Sequence, residues 1–500
     1  MNIRSWVAVV FALFAPVACA QTPPATTEPP AAGSFRVTFD AAIQPTPYTG
    51  RVYVALSTHG QPPLRRRAFD WYQPLQVFAV DVTDLPPGGS ITIGENALAY
   101  PKPLAQAAQG ALYVQAFARR NLDSPEPGQG VGDLFSDVIR VTFRQPEPGV
   151  ADLVLNQEVK SAGFPTSDRV REFTLPSPAL TEFLGRPFSL RAGVILPKDF
   201  NPIATYPVLY FIGGFGSDHT FARQLRTILQ NQPLADNLVI VVPDASCYRG
   251  HSVFADSANN GPWGRAFTTE LVPAIDAAFH GNGHRYLTGI SSGGWSSLWL
   301  QVTYHDTFHG VWSHCPDPVD FSDFQQINLY AAGVNMYKDH GGERRPLARS
   351  AGRNTLFYDD FMRMETVMGP GGQIHSFEAV FSPRLPNGQP RPLFDRATGN
   401  VDPLTAKAWE AYDINLILMR RWGELGPKLK GKLHIVAGGY DTYFLDGAVR
   451  NLKATLEGLR ADADVQIIPD MIHSIHGPTM NAMFETIAKE NPRAGAPRGE

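Results

Sequence analysis

Residues Gly289-Ile290-Ser291-Ser292-Gly293 form a G-x-S-x-G pattern, the spacing at which a serine can be presented as a nucleophile on a tight turn. In a chain with 45 glycines among 500 residues, chance supplies roughly 0.2 such matches, so the setting must choose between a nucleophile and a glycine-rich turn. A strand-like run, RYLTGI (285–290), leads straight into it, and a helical stretch, SSGGWSSLWLQV, leads straight out. At such a junction the serine is strained with its Oγ exposed, and Gly289 and Gly293 leave room for close packing. The amide of Ser292, at the helix N-terminus, then points at a developing oxyanion.

A serine hydroxyl needs a base, and the base needs an orienting acid. On a strand–turn–helix elbow they follow in the order Ser, Asp or Glu, His. Of thirteen histidines only His473 and His476 lie beyond Asp441, which follows the strand-like KLHIVAGG. His473, nearer the end of its own strand, is the expected base; His476 is the alternative. Asp441 is the expected acid, with an ordinary Asx-turn as the competing reading. Asp446, ahead of GAVRNLKATLEGL, reads as a helix N-cap. The second oxyanion donor is expected from YFIGGFGSD (210–218), as the amide of Phe215, because Gly213, Gly214 and Gly216 let the backbone approach a ligand. No His/Cys/Asp spacing suggests zinc, and a serine mechanism requires no cofactor.

These residues need a scaffold. From 34 to 156 short alternating runs separated by Gly/Pro turns, among them SFRVTFDA, GRVYVALS and QVFAVDV, predict about seven strands in an all-β, antiparallel sandwich of the immunoglobulin-like kind. From 165 to 490 unbroken apolar runs such as YPVLYFIGG and NLVIVVPDA alternate with helical segments. That grammar predicts an α/β domain: a mostly parallel sheet with helices on both faces. The segment 264–279 carries Phe267, Leu271, Ile275 and Phe279 at helical spacing. Residues 322–431 are too long for an ordinary connection and predict an insertion or lid. Within it KDHGGERRPLARSAGR (338–353) is basic, either to meet an anionic substrate or as a solvated face.

YPVLYFIGGFG (206–216), ADSANNGPWGRAFTTELVPAID (255–276), TGISSGG (288–294), AGGYD (437–441) and IPDMIH (468–473) together resemble the putative-esterase (esterase D-like) family of α/β-hydrolases, in the enterochelin and feruloyl esterase type of arrangement. The resemblance extends over about residues 170–485. It implies an α/β-hydrolase fold and ester chemistry, and it makes Asn259, Asn260 and Trp263 candidate substrate contacts. One departure is that Gly213 stands where many relatives have histidine before the oxyanion glycine.

The first twenty residues, MNIRSWVAVVFALFAPVACA, read as a signal peptide, which predicts a periplasmic or secreted protein. Residues 21–33 read as a Pro/Thr-rich linker and 491–500 as a flexible tail. Cleavage would leave Cys247 and Cys315, which could pair in an oxidising compartment or remain buried thiols. A net charge of −4 argues against nucleic acid as a partner, and no segment beyond the leader could insert stably in a bilayer. Oligomeric state is not legible. The expectation is an exported serine hydrolase acting on a small-molecule carboxylic ester. An acyltransferase with the same triad, or a binding protein on a hydrolase scaffold, is the alternative.

Overall fold

A computed structural model describes residues 31–146 and 149–492. The residues read as a signal peptide, most of those read as a linker and most of those read as a C-terminal tail lie outside the described residues. Ala31 and Ala32, assigned to the linker by composition, are a short strand paired in parallel with Thr142 and Phe143.

The described residues from 31 to 158 build two sheets. The larger runs Ala31–Ala32, Ile139–Phe143, Gly110–Ala118, Tyr48–Ser57, Gln76–Leu85, Leu98–Tyr100, with Leu134–Phe135 and Gln157–Glu158 as a side branch. The smaller runs Val150–Leu155, Ser34–Phe39, Ser90–Ile93. All seven expected strands are present, but the arrangement is not purely antiparallel: Val150–Leu155 pairs in parallel with Ser34–Phe39. Alternation decides what each face meets. Val52, Val54, Leu56, Phe78, Val114 and Ala116 enter a core shared by the two sheets. Tyr53, Ala55, Val77, Ala79 and Phe117 point the other way, into a core shared with the rest of the chain. The larger sheet is therefore covered on both faces.

Beyond residue 165 lies an eight-stranded sheet. Its strands are β1 (Val170–Pro176), β2 (Ser189–Ile195), β3 (Tyr206–Ile212), β4 (Val239–Pro243), β5 (Gly281–Ser291), β6 (Gly310–Pro316), β7 (Leu433–Gly438) and β8 (Ala463–Ile468), in the order β1-β2-β4-β3-β5-β6-β7-β8. The strands β3 to β8 pair in parallel, and β1 and β2 form an antiparallel edge. This is the α/β-hydrolase fold. Every residue of β3, β4 and β6 is buried, as helices on both sides of a parallel sheet require. The β1 and β2 runs carry exposed polar residues and so lack the unbroken apolar signature that marks the central strands.

Helix α1 (Ser292–Thr303) follows β5 without a gap. The expected amphipathic run is helical from Trp263 to Phe279, with a π-helical turn at Phe267–Leu271. Pro273 has no N–H to give to the carbonyl four residues back, which accounts for the irregular turn there. Residues 322–431 hold a hairpin (Pro346–Ser350 with Arg353–Phe357), α2 (Tyr358–Met368), α3 (Gln373–Phe381) and two further helices. The first β unit grips this insertion at the end of α2. Arg51 donates to the carbonyls of Thr366 (2.7 Å) and Val367 (3.0 Å), and the Tyr53 hydroxyl to that of Met368 (2.6 Å). These are carbonyls that a helix leaves unpaired at its C-terminus, and a cation there is favoured by the helix dipole.

Candidate active site

Ser291 closes β5 and opens α1 with φ 59° and ψ −127°, a strained backbone that a non-glycine residue adopts only where its surroundings dictate it. The surroundings are the glycines. A Cβ on Gly293 would stand 2.0 Å from the Ile212 carbonyl oxygen, and one on Gly289 2.3 Å from that of Gly293. The chain can turn this tightly against β3 only without side chains at those two positions. Ser292 is buried at the first turn of α1.

The loop after β3 lies against the nucleophile: a Cβ on Gly214 would be 3.2 Å from Ser291 Cβ. Residues 214–217 form a turn closed by the Ser217 amide on the Gly214 carbonyl (3.0 Å), with Gly216 at φ 80°. Phe215 therefore sits on the turn beside Ser291. Its neighbour Gly213 is held by His251, which reaches in from the loop after β4. His251 Nδ1 accepts from the Val253 amide (3.0 Å), so Nε2 carries the proton and donates to the Gly213 carbonyl (3.2 Å). Burial lowers the pKa of His251 to about 4, which keeps it neutral. The histidine missing ahead of the oxyanion glycine is thus supplied from another loop.

Asp441 and His473 meet at the neighbouring strand ends. His473 Nδ1 lies 2.8 Å from Asp441 Oδ2, and Asp441 is wholly buried. The other carboxylate oxygen accepts the Tyr443 amide (2.8 Å) and that of Leu445 (3.4 Å). The Asx-turn and the pairing with His473 thus use the two oxygens of one side chain. Burial works against a charged His473, but the charge and hydrogen bond of Asp441, with Cys315 in support, outweigh it and hold its pKa well above 6.5. His476 is elsewhere: it precedes the helix Gly477–Glu490 and its Nδ1 pairs with Thr479 Oγ1 (2.9 Å). Asp446 is not an N-cap. It is the first residue of α4 (Asp446–Gly458), and its carboxylate meets Arg450 (3.2 Å) and Arg349 (3.6 Å).

The link from Ser291 to His473 is not made among the described residues. The Ser291 hydroxyl instead donates to Asp317 Oδ1 (3.3 Å), and the Ser292 hydroxyl to Asp317 Oδ2 (2.5 Å). Gln373, from α3 of the insertion, donates to Asp317 Oδ2 (3.4 Å) and to Ser292 Oγ (3.3 Å). Attack then requires Oγ to turn from Asp317 to the His473 ring, and catalytic hydrogen bonds commonly tighten only with substrate bound. Sequence reading overlooked Asp317, Gln373 and His251. Asp317 alone left a signal, as an acidic residue just past the strand that follows the elbow.

Three expected substrate contacts are not brought to Ser291. Asn259 is buried and donates to the carbonyls of Ala379 (3.1 Å) and Ser382 (2.8 Å). The indole of Trp263 donates to the Asn260 carbonyl (3.0 Å) and packs on Phe188 and Phe254. Asn260, Asn259 and Trp263 thus bind the insertion and the helix at 263 into one body. Local packing meets only part of their polarity: Asn259 Oδ1 and Asn260 Nδ2 are buried without a hydrogen-bond partner among the described residues, and motif reading cannot distinguish such packing from a site wall. The basic stretch is mostly a solvated face: Arg344 is exposed and pairs with Asp359 (2.6 Å), while half-buried Arg349 donates to the Asp441 carbonyl (2.9 Å).

Cys247 and Cys315 are free and buried. Cys315 Sγ, an Asp441 oxygen and a His473 nitrogen lie within 4.8 Å of one another, residue types that can ligate zinc. Burial raises the Cys315 pKa, however, which keeps the thiol protonated, and Asp441 and His473 are engaged with each other.

Residues 187–363 match the family model described as Putative esterase. This segment is similar to the esterase family. It holds the oxyanion loop, Ser291 and Asp317, while Asp441 and His473 follow beyond the match. Curated proteins similar to this chain include Esterase MT1326 and Esterase Rv1288 of Mycobacterium tuberculosis, each 31% identical over 162 residues, 30% of this chain and 34% of theirs. The chain spans about a third of the length of these relatives. Similar solved structures include a ferulic acid esterase (13% identity, TM-score 0.39, 64% of this chain and 96% of that one). Another is an S-formylglutathione hydrolase from Agrobacterium tumefaciens (14%, 0.38, 67% and 99%). A third is FphF, a fluorophosphonate-binding serine hydrolase of Staphylococcus aureus (13%, 0.36, 64% and 98%).

Asp317 gives the candidate site a test of its own. Burial raises its pKa to about 6, so the folded state holds this proton more tightly than the unfolded chain. The stability it contributes is complete below the unfolded value of 3.8 and is lost as pH rises through 6. Asp317→Asn is expected to flatten the stability difference between pH 4 and pH 7.5 by about 2–3 kcal/mol in denaturant unfolding. It is also expected to remove an inflection near pH 6 from the pH profile of turnover.

Proposed function

We propose that this chain is an exported serine hydrolase that cleaves carboxylic esters through an acyl-enzyme. The observation that carries the proposal is the placement, at the carboxyl ends of β5, β7 and β8 of one parallel sheet, of a positive-φ serine and a 2.8 Å Asp441–His473 pair. In an open parallel sheet ligands are bound at the carboxyl ends of the strands.

Ser291 Oγ attacks the ester carbonyl carbon while His473 Nε2 takes its proton. The amides of Ser292 and Phe215 receive the oxyanion, an arrangement in which loss of one donor typically costs about 10²–10³ in turnover. The imidazolium then gives its proton to the departing alkoxide. Water, deprotonated by the same ring, attacks the acyl-enzyme and releases the acid. Asp441 keeps the ring in the tautomer that leaves Nε2 free to accept. Export rests on the N-terminal leader, with its arginine, apolar run and Ala18-Cys19-Ala20 cleavage pattern.

The test is stoichiometric labelling of the mature chain with a fluorophosphonate, followed by peptide mapping. The expected result is one label per chain, on the peptide containing Ser291, with loss of p-nitrophenyl acetate hydrolysis in proportion. No label on folded protein, or a label on another residue, would overturn the proposal.

A further inference from the structure

The segment 64–75 belongs by sequence and hydrogen bonding to the first β unit, yet its tip reaches the esterase site. It is anchored at its base: Leu64 and Ala68 are buried, the Arg65 amide donates to Gln115 Oε1 (3.0 Å), and Phe69 packs edge-on to Tyr53 at 5.8 Å. Asp70 Oδ1 then accepts the amides of Tyr72 (3.0 Å) and Gln73 (2.7 Å), an Asx-turn that sets the direction of the residues it encloses. Trp71 projects from this turn between two loops of the hydrolase. Its ring lies 5.8 Å from that of Phe215, on the oxyanion turn, and 6.1 Å from that of Tyr443. The Tyr443 ring stands edge-on to His473 at 5.0 Å, and its hydroxyl is 3.2 Å from that of Tyr72. Phe361 of α2 backs Trp71 at 5.0 Å. Trp71, Phe215 and Tyr443 are half-buried, and Tyr72 is 42% exposed.

Which part of an ester this wall meets follows from the chemistry. His473 must protonate the leaving alkoxide, so the alcohol lies on the His473 side of Ser291, and Tyr443 and Trp71 are the rings on that side. We infer that the N-terminal β unit is a specificity element of the active site, with Trp71 and Tyr72 completing an aromatic wall that selects esters whose alcohol carries a planar apolar ring. This deepens the ester-hydrolase reading and rests on it. It also gives the buried contact between the two units a function: the Arg51 and Tyr53 bonds to α2 hold the wall in register with Phe361. Rings meeting rings offset or edge-on contribute about 0.5–1.5 kcal/mol beyond area burial, and each 1.4 kcal/mol is about tenfold.

The experiment compares benzyl acetate with ethyl acetate, whose alcohols are similarly poor leaving groups, on the mature chain and on Trp71→Ala, Trp71→Leu and Tyr72→Phe. Wild type is expected to prefer benzyl acetate in kcat/KM. Trp71→Ala and Trp71→Leu are expected to reduce that preference about tenfold, through KM for benzyl acetate. Tyr72→Phe should keep the preference, since it keeps the ring. Trp71→Leu retains apolar volume and serves if the alanine variant does not fold. A preference unchanged in Trp71→Leu, or equal losses on both esters, would overturn the wall. Hydrolysis of neither ester by folded wild type would instead overturn the ester-hydrolase reading, and the wall with it.

Discussion

Ser291→Ala is expected to lower kcat for p-nitrophenyl acetate by about 10⁴–10⁶, to a residue left by the oxyanion donors and binding alone. The substitution is a clean one. Alanine meets the same backbone strain at φ 59° as serine does, and the glycines that permit the turn remain. Asp317 loses one donor but keeps the Ser292 hydroxyl and the Gln373 amide. The unfolding midpoint should therefore stay close to wild type while fluorophosphonate labelling disappears. Kinetics on the purified variant, with unfolding followed by circular dichroism, checks both halves. Activity retained within tenfold would mean that a group other than Ser291 attacks the ester.

The second large effect is at the base. His473→Gln is expected to cost about 10⁴–10⁶ in kcat, whereas His476→Ala should hold within about threefold because its ring pairs with Thr479 and not with Asp441. Glutamine is preferred to alanine here because Asp441 is wholly buried. Removing its partner outright would strand a buried charge, at about 3–5 kcal/mol, and confuse stability with chemistry. The pH profile carries the same assignment. His473 accepts the serine proton only when neutral, and its pKa is held well above 6.5, so kcat/KM should still be rising with pH above 6.5. Asp441→Asn removes the charge that outweighs burial, so that limb should move to lower pH as turnover falls. An unmoved limb in Asp441→Asn, or loss of activity in His476→Ala with His473→Gln active, would reassign the base.

Sequence alone determined the local part of this site. The elbow is contiguous: a strand, a serine, two glycines and a helix obey rules that operate within ten residues, and all of them are present at 285–300. The order of acid and base along the chain then left only two histidines to choose from. The unbroken apolar runs of β3 and β4 likewise signal a covered parallel sheet, because burial on both faces disfavours polar residues. The edge strands β1 and β2 carry polar residues and left no such signal.

Tertiary structure decided everything that depends on which distant residues face each other. His473 was separated from His476 by which ring reaches Asp441, and Asp446 by whether its side chain or merely its position opens α4. Asn259 and Trp263 turned inward because polar groups in a packed loop hydrogen-bond whatever backbone lies beside them, and Asn260 was buried with its amide nitrogen unpartnered among the described residues. Asp317 reached Ser291 from the end of β6, Gln373 from the insertion, His251 from the loop after β4 and Trp71 from the other unit, none marked by a motif. A motif records how a chain bends over a few residues; the walls of a cleft are set by packing between segments hundreds of residues apart, and no local spacing encodes that.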